Sequence, residues 1–187
     1  MRPLDILTTA AVALSLVACA GTPSSEKEGK QAEVRKATQA SLEKFYNAQP
    51  KLQSAVENAP GYGIFTTYGI SFIVGGSGGE GLVHNNRTKT DTFMDAAQAS
   101  AGLQVGAAQT DTLIIFDTQE AMQKFIDKGW VAGGGAVAQA GASGESVGPG
   151  VGGNVIANAK YYTLTPNGLQ AGVAAAGTKY WKSKDLN

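Results

Sequence analysis

Cys19 is the residue whose setting points most directly to chemistry. It is the only cysteine in 187 residues, and it follows Leu16-Val17-Ala18 at the end of a short apolar run. Small residues before a scissile bond are what a signal peptidase pocket admits. A thiolate just after the cut is nucleophilic enough to take a diacylglyceryl group as a thioether, and the pattern resembles the bacterial lipobox. Cleavage there exposes an amine that can take another acyl chain. One chain anchors only marginally, whereas two or three hold firmly at ~0.8 kcal/mol per buried methylene. Upstream, Arg2 gives a positive start that Asp5 weakens. Residues 6–16 fit a signal-peptide apolar region but fall short of the ~20 apolar residues of a membrane-spanning helix. Ala20 after the cysteine, where an aspartate would signal inner-membrane retention, resembles the outer-membrane sorting signal of Gram-negative bacteria. The expectation is a lipoprotein of the bacterial outer membrane, its domain facing the periplasm or the cell surface.

The remaining chemistry-bearing residues make no positive case for catalysis. His84 is the single histidine, set beside Asn85 and Asn86 in what reads as an exposed turn. With Cys19 lipidated there is neither a disulfide nor a Cys/His zinc set, and no metal is expected. No G-x-S-x-G elbow is present, and a Ser/His/Asp triad would rest on that one histidine. The carboxylates Glu80, Asp91, Asp95, Asp111, Asp117 and Glu145 are scattered, with no evident acid–base pair. Gly76-Ser77-Gly78-Gly79-Glu80-Gly81 and Gly148-Pro149-Gly150-Val151-Gly152-Gly153 both match G-x-G-x-x-G. Neither opens a helical pattern, as a dinucleotide turn must, and neither carries the Gly-Lys-Ser/Thr of a phosphate-binding loop. The chain is therefore expected to use no cofactor and to bind no nucleotide. Formal net charge is zero, without the basic excess of a nucleic-acid binder, so nucleic acid is excluded as a partner as well.

Cations near aromatics form the other group of interest. Lys179, Tyr180, Trp181 and Lys182, with Lys184, are the one aromatic-basic cluster in the chain. Such a mix suits a lipid headgroup layer, aromatics at the interface and ammonium groups on phosphate. A last strand with a solvated polar edge would show the same residues. Arg87, Lys89, Lys160, Lys179, Trp181 and Lys182 are the candidate lipid-binding residues.

These side chains need a scaffold. Removing residues 1–18 leaves 169, enough for a tether over 19–31 and a single domain over 32–187. Helical spacing over about 32–47 ends near Pro50, and 51–58 forms a second short helix. From Gly61 the pattern turns to strands: 62–74, bent near Gly69, then a loop over 75–81. Further strands are expected over 88–94, 101–107 and 112–116. Asp117 and Glu120 form a capping box opening a helix of about 118–128, which Gly129 stops. Residues 130–153, rich in glycine and alanine, read either as small-residue strands or as a mobile loop. Residues 158–164 and 169–175 pair across a Pro166-Asn167-Gly168 turn. Many short strands without βαβ alternation imply an α+β fold. It should have a curved, largely antiparallel or barrel-like sheet, N-terminal helices and one packed helix.

In order and spacing, several segments resemble the SYLF domain, a lipid-binding family that includes yeast actin-binding proteins. They are Gly61-Tyr62-Gly63-Ile64-Phe65, Gly79-Glu80-Gly81 with Gly75-Gly76, Gly102-Leu103-Gln104-Val105-Gly106, Leu113-Ile114-Ile115-Phe116, Gly129-Trp130 and Gly168-Leu169-Gln170-Ala171-Gly172-Val173 with Gly177-Thr178. The resemblance spans about 32–182 and implies binding to phospholipid headgroups without catalysis. Two positions depart from the family pattern: the segment around Tyr68-Gly69-Ile70 lacks a lysine common there, and Ala176 stands where glutamate is usual. The alternative expectation is a structural or assembly lipoprotein of the cell envelope that binds other proteins.

Overall fold

The computed structural model describes residues 24–71, 74–101, 106–131, 158–166, 168–171 and 178–187. Cys19 with its leader, and the glycine-rich stretch beyond Val131, lie outside the described residues. Two helices come first, α1 (Ser24–Ala48) and α2 (Lys51–Asn58). Four long strands follow: β1 (Gly61–Ser71), β2 (Val74–Asn85), β3 (Thr90–Ala101) and β4 (Gly106–Phe116). Helix α3 (Gln119–Lys128) precedes β5 (Trp130–Val131), β6 (Ala159–Thr165), β7 (Gly168–Ala171) and β8 (Thr178–Lys182). The eight strands form one sheet in the order β5-β8-β3-β2-β1-β4-β6-β7. Every pairing is antiparallel, and the sheet is curved but unclosed. The expected α+β class is what the chain adopts, as an open sheet and not a barrel.

Side chains alternate across the strands, so the sheet has two apolar faces, each covered by helix. On one face Phe65, Val83, Met94, Ile114, Phe116 and Tyr180 meet Ala121, Met122, Phe125 and Ile126 of α3. Phe125 is the hub, with ring centroids 6.1 Å from Phe65, 5.4 Å from Phe116 and 5.6 Å from Tyr180. On the other face Ile64, Leu82, Phe93, Leu113 and Ile115 meet Val34, Leu42 and Phe45 of α1 and Leu52 and Val56 of α2. No helix among the described residues is long and apolar enough to cross a membrane.

Four sequence expectations shift. Helix α1 starts at Ser24, within the stretch read as tether. Its first turns are held from afar, by Lys27 Nζ donating to the Asn187 carbonyl (2.5 Å) and Gln31 Nε2 to the Leu186 carbonyl (2.7 Å). Residues 75–81 are strand, not loop: β2 runs unbroken beside β1 and β3. A Cβ at Gly79 would overlap the Thr66 carbonyl oxygen, and one at Gly81 the Ile64 carbonyl oxygen, so these glycines let β2 lie close against β1. Of the 101–107 strand, Ala101 ends β3 and 106–107 open β4, while 102–105 lie outside the described residues. Finally, Thr118 caps α3 in place of Asp117, its Oγ1 accepting from the Ala121 amide at 3.1 Å, a bond typically worth ~1 kcal/mol. Asp117 is engaged elsewhere: its amide donates to the Asn158 carbonyl and its carboxylate pairs with Lys160. Gly129 closes the helix as expected, at φ +63°.

Candidate functional site

One end of the sheet gathers the groups of interest. His84, next to the last residue of β2, stands directly opposite Tyr62 on β1 and Asp91 on β3. Its Nδ1 is 2.7 Å from Asp91 Oδ1, while Arg35 Nε of α1 donates to Oδ2, also at 2.7 Å. The Arg35 guanidinium lies over the Phe93 ring (4.9 Å), and the Tyr62 ring contacts the imidazole (5.3 Å). Burial alone would raise the Asp91 carboxyl, but the His84 and Arg35 hydrogen bonds outweigh it and hold it below the ordinary value. Burial pushes the Tyr62 phenol up to about 12, with Tyr46 and Asp91 adding to the effect, so it stays protonated. The exposed-turn reading of His84 is thus corrected. The ring is a half-buried strand residue whose side chain is 22% exposed. Sequence reasoning missed it because Asn85-Asn86 marks a turn and the partner Asp91 lies seven residues away on the returning strand. The hairpin spacing was the available signal.

The same hairpin carries two of the candidate lipid-binding residues. Asn85 Oδ1 accepts from the Arg87 and Thr88 amides (2.9 and 3.2 Å), an Asx-type turn that fixes the tip. Arg87 and Lys89 are exposed on that tip. Lys89 takes φ +57°, so this turn holds a non-glycine residue in the left-handed region. Lys160 occupies the same cross-sheet row as His84 and Tyr62, through Ile115 of β4. Its ammonium is 3.2 Å from Asp117. The remaining candidates sit apart on β8. Lys179 lies over the Trp181 ring at 5.8 Å, whereas Lys182 alternates to the opposite face, that of Tyr180 and Met94. The six candidates therefore do not form one patch, and only Arg87 and Lys89 share a turn.

A third polar group is structural. Asp111, 3% exposed on β4, accepts from Thr66 (2.7 Å), Ser41 (3.0 Å), Gln109 (3.1 Å) and, on its other oxygen, Lys44 (2.8 Å). Burial raises this carboxyl, but Lys44, Thr66 and Gln109 more than offset that and lower it. Ser41 and Lys44 have the Ser-x-x-Lys spacing of a nucleophile–base pair. Ser41 is only 2% exposed, however, and its hydroxyl donates to Asp111, so no substrate carbonyl can reach it. The cluster pins α1 to the sheet. Among the described residues no group of three or more His, Cys, Asp or Glu side chains could hold a metal ion.

What the geometry defines is an α+β domain with an open antiparallel sheet. Its polar end is built from one hairpin and the helix that crosses it, and its side chains give no positive case for catalysis. Residues 97–187 match the model of the Ysc84 family, described as Las17-binding protein actin regulator, and the likeness to SYLF domains is shown for that part of the chain. The chain is also 28% identical to Beta cell expansion factor A of Aeromonas veronii over 163 residues. That match takes in 86% of this chain and 60% of the relative's length.

Proposed function

We propose that this chain is a lipid-anchored envelope protein of the outer membrane whose domain binds phospholipid headgroups and performs no catalysis. The observation that carries the reading is the match of residues 97–187 to a family of binding domains. The lipobox-like setting of Cys19 and the basic hairpin tip add to it. Helix α1 begins five residues after Cys19, so an anchor there lies within roughly 17 Å of Ser24 even with the intervening chain extended. The family description names actin regulation, a partner that an exported domain does not meet. Lipid is the partner that fits both the family and the proposed location.

Two measurements test this. Mass spectrometry of the protein from its native host is expected to find residue 19 as the first residue, bearing a diacylglyceryl thioether; an unmodified thiol ends the anchoring claim. Sedimentation with anionic vesicles at low salt is expected to capture the domain, and the pair Arg87→Gln with Lys89→Gln to weaken that capture roughly thirtyfold, at ~1 kcal/mol per basic residue. Salt should weaken it too, since exposed charges are screened. Absence of any lipid preference, together with stoichiometric capture of one envelope protein, would favour the alternative of an assembly lipoprotein. Tyr68 gives that alternative a surface, being 62% exposed on β1.

A further inference from the structure

We propose that Arg35 and His84, held side by side on the Asp91 carboxylate, form a binding pair for a phosphate-type oxyanion. The inference rests on the headgroup-binding reading and names the groups within the domain that would recognise the phosphate. Each carboxylate oxygen engages one partner at 2.7 Å, and this fixes which atoms are left over. Asp91 holds Arg35 by Nε, so both terminal guanidinium nitrogens stay available. It holds His84 by Nδ1, so Nε2 stays available on the far edge of the ring. No hydrogen bond among the described residues occupies either, and both rings of donors are oriented from behind, Arg35 by the Phe93 face and His84 by Tyr62. Donors held by a second set of contacts lose little freedom on binding, which is what anion recognition in competition with water requires.

The surrounding charge points the same way. The hairpin whose stem is the His84–Asp91 pair presents Arg87 and Lys89 at its tip. The groups around the imidazole are Asp91 from β3, Tyr62 from β1 and Arg35 from α1, with Tyr46 of α1 acting on Tyr62 and Glu57 of α2 on Tyr46. Asp91 is already shared between Arg35 and His84. Neutral His84 donates Nδ1–H to Asp91 and leaves Nε2 as an acceptor, which does not suit an anion; the imidazolium donates from both nitrogens. Oxyanion affinity therefore rises as the imidazole takes up a proton. A chain read only for lysine–aromatic clusters hides this pair, because Arg35 and His84 are 49 positions apart in sequence.

His84 is the single histidine, so its imidazole resonances need no assignment. Titrating the protein with inorganic phosphate is expected to shift them saturably. Arg35→Gln and His84→Asn are each expected to weaken phosphate binding roughly tenfold, the loss of one charge-assisted hydrogen bond. His84→Asn keeps an amide donor where Nδ1 stood while removing Nε2, and a circular-dichroism spectrum and urea midpoint like those of the parent check that the fold survives. Vesicles of phosphatidic acid, whose headgroup is a bare phosphate, set against phosphatidylcholine alone, separate the two sources of the anion. Vesicle capture that falls with His84→Asn assigns the pair to lipid. Phosphate-dependent shifts without vesicle capture keep the pair as a site for free phosphate and remove the headgroup reading. If phosphate leaves the His84 resonances unmoved and both variants bind phosphatidic acid vesicles like the parent, the pair is only a clasp for α1. That result overturns the proposal and leaves the headgroup reading standing.

Discussion

Asp111→Ala is expected to lower the unfolding free energy by about 3 kcal/mol, read as a drop in the urea midpoint at unchanged slope. The carboxylate is the shared acceptor for Thr66, Ser41, Gln109 and Lys44. Its removal leaves two buried hydroxyls without their acceptor and Lys44 without its counter-charge. Breaking a buried pair costs about 3–5 kcal/mol when the orphaned charge stays buried. The Lys44 side chain is 47% exposed and can turn to water, which places the loss at the lower end. Asp111→Asn keeps the shape and some of the hydrogen bonds, so it should lie between parent and alanine variant.

The same group sets a sign for acid stability. Asp111 and Asp91 are both held below the ordinary carboxylate value in the folded chain. Their contribution is therefore fully present above the unfolded-state value of about 3.9 and is lost as pH falls through the folded-state value. Between them the two carboxylates fasten α1 at Arg35 and at Ser41–Lys44, so the parent should lose α1 docking in acid. In Asp111→Ala the acid dependence should be shallower, because one of the two titrating groups is gone.

How much of this was legible in the sequence divides along a physical line. Helix α2 and helix α3 were readable because their signals are local: apolar residues at three- and four-residue spacing, a proline before one and Gly129 after the other. The antiparallel sheet was readable in class but not in order, since β4 pairs with β1 across two intervening strands of sequence, and nothing in the composition of either strand states that. The N-terminal turns of α1 were hidden because their partners are Leu186 and Asn187, more than 150 residues away. The candidate site was half legible. Charge type and exposure found Arg87 and Lys89, which need only a turn to be placed. Arg35, His84 and Asp91 come from a helix and two strands, and their meeting depends on the register of β2 against β3 and on where α1 crosses them. Lys160 reads in sequence as a candidate phosphate partner, and its pairing with Asp117 is hidden there because the two meet only across the β4–β6 pairing.

Gly81→Ala is expected to cost about 3 kcal/mol or more, whereas Gly78→Ala, three residues earlier in the same strand, should change stability by no more than about 0.5 kcal/mol. Both glycines belong to the segment that matches a dinucleotide loop in sequence. The Cβ of an alanine at 81 would fall on the Ile64 carbonyl oxygen and press against Phe65, the ring that also meets Phe125 and Tyr180. Backbone cannot move aside as a side-chain tip can, so β2 would have to part from β1 and loosen hydrogen bonds along the centre of the sheet. At Gly78 nothing stands within 4 Å of a new Cβ, and the position is exposed. Urea midpoints of the two variants check this ranking. Equal losses, or a greater loss at 78, would mean that β2 does not lie against β1 as closely as Gly79 and Gly81 imply.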